Sequence, residues 1–125
     1  MNKCFVATLS TIAIMALSVP MSSWSAQSVL PSKTFTGEVT DSICAPSGSH
    51  AATIAKTPGM GNDSETCTRK CVAMGAKYVL YDPTNHAVYS VEDQGKLAQF
   101  AGHKVRVTGT LNGSSIKVLN IKELD

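Results

Sequence analysis

From residue 34 onward, apolar and polar positions alternate in short blocks separated by turn-forming residues. Phe35, Gly37 and Val39 alternate with Thr36, Glu38 and Thr40, the period of a half-buried strand. Gly37 in the middle of that block predicts a bulge or a tight bend. The strand runs out near Asp41-Ser42-Ile43-Cys44. Residues 45–63 hold Pro46, Gly48, Pro58, Gly59 and Gly61 and read as one irregular stretch. A loop of that length in a small domain usually carries function or is disordered. A short helix is expected next, with Ser64 as N-cap, Glu65 in the first turn and Gly75 as the stop. Cys67, Cys71 and Met74 then fall at i, i+4 and i+7, on one face.

The remainder is β-rich. Tyr78-Val79-Leu80-Tyr81 predicts a strand, ended by the turn signal Asp82-Pro83-Thr84-Asn85. Residues 87–91 form the second arm of a hairpin. Residues 94–101 predict a short α or 3₁₀ segment with Leu97 and Phe100 turned inward. Val105, Val107 and Leu111 alternate with polar neighbours, and Asn112-Gly113 is a strong hairpin signal. Ile116, Val118 and Ile121 complete the last strand. Leu119 breaks its phase, which predicts a bulge or a strand buried on both faces. Five strands with a helix between the third and fourth is the order of the OB fold, a small Greek-key barrel. The expectation is a mainly β, single OB-like domain over residues 34–125. Residues 45–75 would be a Cys-containing helical insertion after strand 1. An open five-stranded α+β sheet is the alternative.

The N-terminus changes the chemical context. Lys3 precedes an almost wholly apolar run that reaches Leu17, Pro20 breaks it, and the small residues Ser22, Ser23, Ser25 and Ala26 follow around Trp24. This is the pattern of a cleaved export signal over residues 1–25, and the run is too short for a comfortable membrane span. Residues 26–33 would be a flexible tether, and the mature protein periplasmic or secreted. Without Lys3, ten of the eleven basic residues face nine acidic ones, a net of +1. That offers no basic patch for phosphates, so nucleic acid is not an expected partner. Removing Cys4 with the signal leaves three cysteines, an odd number for an exported domain.

Cys44, His50, Cys67 and Cys71 are the candidate chemistry. Two thiols at i and i+4 on one helix face can grip a metal as paired histidines do. Cys67 in the first helical turn would gain thiolate character from the helix dipole. Cys3His is a closed tetrahedral zinc set, and soft thiolates equally favour Cu(I), with Met60 and Met74 as nearby thioethers. Four filled positions leave none for a reactive water, so no metal hydrolysis is expected. A disulfide from Cys44 to Cys67 or Cys71 competes in an oxidising compartment and would contribute roughly 2–4 kcal/mol. A redox-active thiol, with Cys67 as the reactive residue, is a third possibility.

The chain also resembles a family of small exported bacterial proteins of unknown function. The shared pattern is Asp41-Ser42-Ile43-Cys44, a nearby His, a Cys-x3-Cys, Gly75-Ala76-Lys77-Tyr78-Val79-Leu80 and Asp93-Gln94. Phe100-Ala101-Gly102 and Lys104-Val105-Arg106-Val107-Thr108-Gly109-Thr110-Leu111 follow. It covers residues 34–121. The resemblance implies an OB-like domain and export, without an activity, and the insertion at residues 51–63 departs from it. A weaker likeness is to exported bacterial OB-fold stress proteins.

Other candidates are better read as structural. His86 and His103 suit solvated positions, and Glu92 and Asp93 suit capping. Tyr78, Tyr81, Tyr89 and Phe100 suit packing rather than a stacking platform for single strands. The sequence therefore points to an exported domain, not an enzyme, that binds zinc or copper through Cys44, His50, Cys67 and Cys71. The alternative is a disulfide-stapled module, without metal, that meets a small ligand or protein.

Overall fold

The computed structural model describes residues 29–48 and 50–125. The expected signal, the first part of the tether and Cys4 lie outside them. The elements are β1 (Ser32–Asp41), α1 (His50–Lys56), α2 (Ser64–Ala73), β2 (Tyr78–Asp82), β3 (Ala87–Val91), α3 (Gln94–Ala98), β4 (Lys104–Asn112) and β5 (Ser115–Glu123). The five strands close into a ring in the order β1-β2-β3-β5-β4. Neighbours run antiparallel except β3 and β5, which are parallel. Closure pairs every strand on both sides, so the open-sheet alternative does not form. None of the described helices is long and apolar enough to cross a membrane.

β1 is the strand that makes closure possible. Residues 32–38 pair with β4, and residues 38–41 pair with β2. Glu38 sits at the changeover, opposite both Tyr81 and Lys104. The neighbouring Gly37 has a steric reason: a Cβ there would lie 2.2 Å from the Tyr81 carbonyl oxygen. The predicted tight bend is thus a close backbone approach that only glycine allows.

The alternation places Val39, Leu80, Val105, Val107 and Ile116 in the interior, each without exposed surface. α3 adds Leu97, also fully buried, and Phe100 packs half-buried against the same cluster. Burying each large aliphatic side chain is worth about 1.5–3 kcal/mol, so this cluster is the main driving force for closure. Tyr78 is buried and Tyr89 packs on Phe35 with ring centroids 5.1 Å apart, which makes these aromatics packing residues.

The β4–β5 register shifts at Thr108/Gly109, where Asn120 and Val118 are the successive partners. Leu119 is the extra residue of this bulge and is exposed, which resolves its phase break. The hairpin turn lies one residue later than Asn112-Gly113 suggests. Asn112 pairs with Ser115, and Gly113 at φ 60° takes the first loop position. Glycine there is the requirement of a type II′ turn.

Two expectations need correction. Residues 45–63 are not wholly irregular: a 3₁₀ turn (Ala45–Ser47) and α1 lie within them. Ala51, Ala52, Ile54 and Ala55 supply helix-compatible residues that the flanking Pro and Gly positions mask. Asp63, not Ser64, is the N-cap of α2: Asp63 is extended at φ −142°, and its carboxylate accepts from Thr66 N–H. Either residue type can cap, so composition alone does not choose between adjacent candidates.

Asp82 closes the β2–β3 turn, accepting from Thr84 N–H at 2.8 Å and Asn85 Nδ2 at 2.6 Å. The Asn85 side chain, then the two backbone N–H groups, hold its carboxyl below the usual range against the opposing effect of burial. A depressed folded pKa means stability that is present above the unfolded value, about 3.9, and lost as pH falls through the folded one. Asp82→Ala should cost about 1–2 kcal/mol at neutral pH, with the deficit against wild type shrinking in acid. Urea unfolding at pH 7 and pH 3 checks both.

Candidate metal centre

β1 and α2 bring the site together. At the end of β1, Asp41 Oδ1 accepts from the backbone N–H groups of Ile43 and Cys44, both at 2.9 Å. These bonds turn the chain and fix Cys44 at the entrance to the 3₁₀ turn. α2 carries Cys67 and Cys71 one helical turn apart, both facing β1. Its start is fixed by Asp63, whose carboxyl is lowered by the bonds from Thr66. Its end closes at Gly75 (φ 108°), with Ala76 N–H donating to Cys71 O and Gly75 N–H to Val72 O, both at 3.0 Å. The predicted glycine stop therefore forms a Schellman closure beside a site residue.

Cys44, Cys67 and Cys71 are all buried and form their own small cluster, jacketed by Ile54, Met60 and Ala76. Met74 is not part of it. It caps α2 from outside at 67% exposure, because it lies beyond the last regular turn. Of the two expected thioethers only Met60 is near. The three sulfurs lie within 4.8 Å of one another. Cys44 Sγ and Cys71 Sγ are 3.9 Å apart, and all three thiols are free.

That distance is informative. Two thiolates on one ion with Zn–S bonds of about 2.3 Å stand about 3.8 Å apart in a tetrahedron and about 4.0 Å apart in a trigonal plane. A disulfide needs about 2.05 Å. The observed separation is that of two thiols in hydrogen-bond contact, and it also fits an edge of a coordination polyhedron.

His50, the first residue of α1, is 2% exposed. Its Nδ1 lies 2.8 Å from Glu38 Oε1. Around Nε2 stand Thr68 Oγ1 at 3.0 Å, Thr40 Oγ1 at 3.1 Å and Asp41 Oδ2 at 3.4 Å. Asp41, Cys44 and His50 form a second group of donors within 4.8 Å of one another. The four expected site residues thus lie close enough to bind a metal, arranged as two overlapping groups that share Cys44.

Comparison with protein-family models, with curated proteins and with solved structures found no match. The chemistry rests on the geometry alone.

Burial pushes the Cys44 thiol well up, and the Asp41 carboxylate beside it adds to the shift. Cys71 is raised by the same two causes in the same order. The hydrogen bond to Glu38 raises His50, against the opposing effect of burial. Protonated thiols in an apolar jacket are inert toward most reagents, and a soft cation would have to displace those protons to bind. Cys67, fully buried, lacks the exposure expected of a redox thiol.

Glu38, Thr40, Asp41 and Thr68 complete the site, and sequence reasoning assigned none of them a role. The alternation placed Glu38 and Thr40 on the solvent face, but His50 at the start of α1 packs onto both, itself held by Thr68 of α2. The only available signal was Asp41 three residues before Cys44, the spacing of an Asx turn. The other histidines lie elsewhere. His86 contacts the Tyr81 hydroxyl at 3.3 Å, and the half-exposed His103 pairs with Glu123 and stands 3.7 Å from Glu65. Asp93 precedes α3 as its N-cap and pairs with Lys96 at 3.2 Å.

Proposed function

We propose that this chain is an exported OB-type domain that binds a soft metal ion, zinc or Cu(I), and is not itself an enzyme. Cys44, Cys67 and Cys71 would supply three thiolates, with His50 as the nitrogen donor beside them. The observation that carries this reading is the trio of buried, unbridged thiols whose sulfurs all lie within 4.8 Å of one another, with Cys44 and Cys71 at 3.9 Å. The strand order, with β3 parallel to β5, supports the OB assignment. The apolar run after Lys3 supports export, and the resemblance to the uncharacterised exported family agrees with both. Zinc suits a Cys3His set, whereas Cu(I) is satisfied by three thiolates alone.

The test is metal content and free-thiol count on protein purified natively from the periplasm. The expected result is zinc or copper bound at one or more ions per chain, with three free thiols after unfolding. No metal, one free thiol and a mass two hydrogens light would establish the second reading, a disulfide-stapled interaction module. One observation favours that alternative: closing the 3.9 Å gap between Cys44 and Cys71 to bonding distance needs a sulfur displacement of only about 1.9 Å. Function would then belong to the outer face of the closed sheet.

A further inference from the structure

We infer that the centre holds two divalent cations that share the Cys44 thiolate. One lies among Cys44, Cys67 and Cys71, the other among Asp41, Cys44 and His50. The inference rests on the zinc form of the soft-metal reading and refines it: His50 serves the second ion instead of completing the first.

Two observations point the same way. The first is the spacing on the His50 side. Asp41 Oδ2 and His50 Nε2 are 3.4 Å apart, long for a hydrogen bond between charged partners. Two ligands with bonds of about 2.0–2.1 Å to a tetrahedral ion stand about 3.3 Å apart. Each half of the site therefore holds one donor pair at the edge length of a coordination sphere, and Cys44 belongs to both groups.

The second is orientation. Glu38 accepts from His50 Nδ1–H at 2.8 Å and is itself partly exposed. A carboxylate on one ring nitrogen is the usual arrangement behind a metal-bound histidine, because it leaves the other nitrogen to the ion. That other nitrogen, Nε2, faces Asp41 and the hydroxyls of Thr40 and Thr68, where a cation would take the place of a proton. The hydroxyls are neutral oxygens placed to fill the remaining position.

Titration of the reduced full chain with Cd(II), free of oxygen, tests this. Native mass spectrometry gives the number of ions, and ¹¹³Cd NMR reports their ligands. The expected result is saturation at two ions per chain with two resonances, one from sulfur-rich and one from mixed sulfur, nitrogen and oxygen coordination. Asp41→Asn keeps the oxygen that accepts from Ile43 and Cys44 but loses the second carboxylate oxygen, so it should bind one ion, at the sulfur-rich resonance. Should that variant fail to fold, the wild-type spectrum decides alone. Saturation at one ion, or two ions retained by Asp41→Asn, overturns the shared site while leaving a single soft-metal centre in place. No cadmium bound at any concentration overturns the metal reading as well.

Discussion

Cys44→Ser is expected to weaken metal binding more than any other single substitution in the chain. Cys44 is the one residue common to both donor groups, and it is held from two sides: by the Asp41 turn through its backbone and by Cys71 across the cluster. A serine hydroxyl is a hard oxygen with a much higher pKa than a thiol, so it does not replace a thiolate on a soft cation. Loss of a group that only orients a ligand, as in Glu38→Ala, costs about 10–100-fold in affinity. Loss of the shared ligand should exceed that range, and metal should fall to background in equilibrium dialysis. Cys71→Ser provides the contrast. It removes a donor from one group only and should leave metal bound more weakly through Asp41, Cys44 and His50. Far-UV circular dichroism on each variant separates ligand loss from unfolding. Metal retained by Cys44→Ser but lost from Cys71→Ser would place the ion elsewhere. Equal metal-free behaviour of wild type and both variants would mean that the cysteines serve only as a staple.

The elements most legible in the sequence are those whose residues answer to one local rule. The β2–β3 and β4–β5 hairpins follow from period-2 alternation and turn chemistry, and Leu97 follows from its place in a short helical block. Leu119 shows the same legibility at the level of a single residue, because a bulge is the local solution to a broken phase. Site legibility was divided along the same line. Thiols and imidazole announce themselves by type, and Cys67 and Cys71 share a helix. Glu38 and Thr40 do not, because their alternation assigns them to solvent and only the packing of His50 over β1 reverses that. Burial imposed by a distant segment is a tertiary fact, invisible to a window of ten residues. Met74 errs in the opposite direction. Helical spacing puts it on the cysteine face, yet α2 ends before it, and the chain turns it outward.

The same tertiary dependence makes Gly102→Ala a severely damaging substitution outside the cysteine cluster. Gly102 has φ 79°, and a Cβ there would stand 2.3 Å from the backbone N of Glu65 and 2.6 Å from its Cα. The obstacle is main chain in the first turn of α2, which cannot swing aside as a side chain can. Gly102 is also tied from the other side, its N–H donating to Val39 O at 2.7 Å in β1. The residue therefore sits between the closed sheet and the helix that carries Cys67 and Cys71. Gly75 offers the internal control: it has φ 108° but nothing within 4 Å of a Cβ. Gly75→Ala should cost only the left-handed strain, about 1–2 kcal/mol. Gly102→Ala adds the overlap, for a total above about 3 kcal/mol, within the range that overpacking and special backbone positions reach. At about 4–8 °C per kcal/mol for a domain of this size, the melting temperature should fall by more than about 12 °C. Because the overlap drives α2 away from β1, metal affinity should fall with it, although no ligand has been touched. Matching losses in Gly75→Ala and Gly102→Ala would show that strain, not the seating of α2, sets the cost. Full metal affinity in a folded Gly102→Ala protein would show that Cys67 and Cys71 keep their places without that contact.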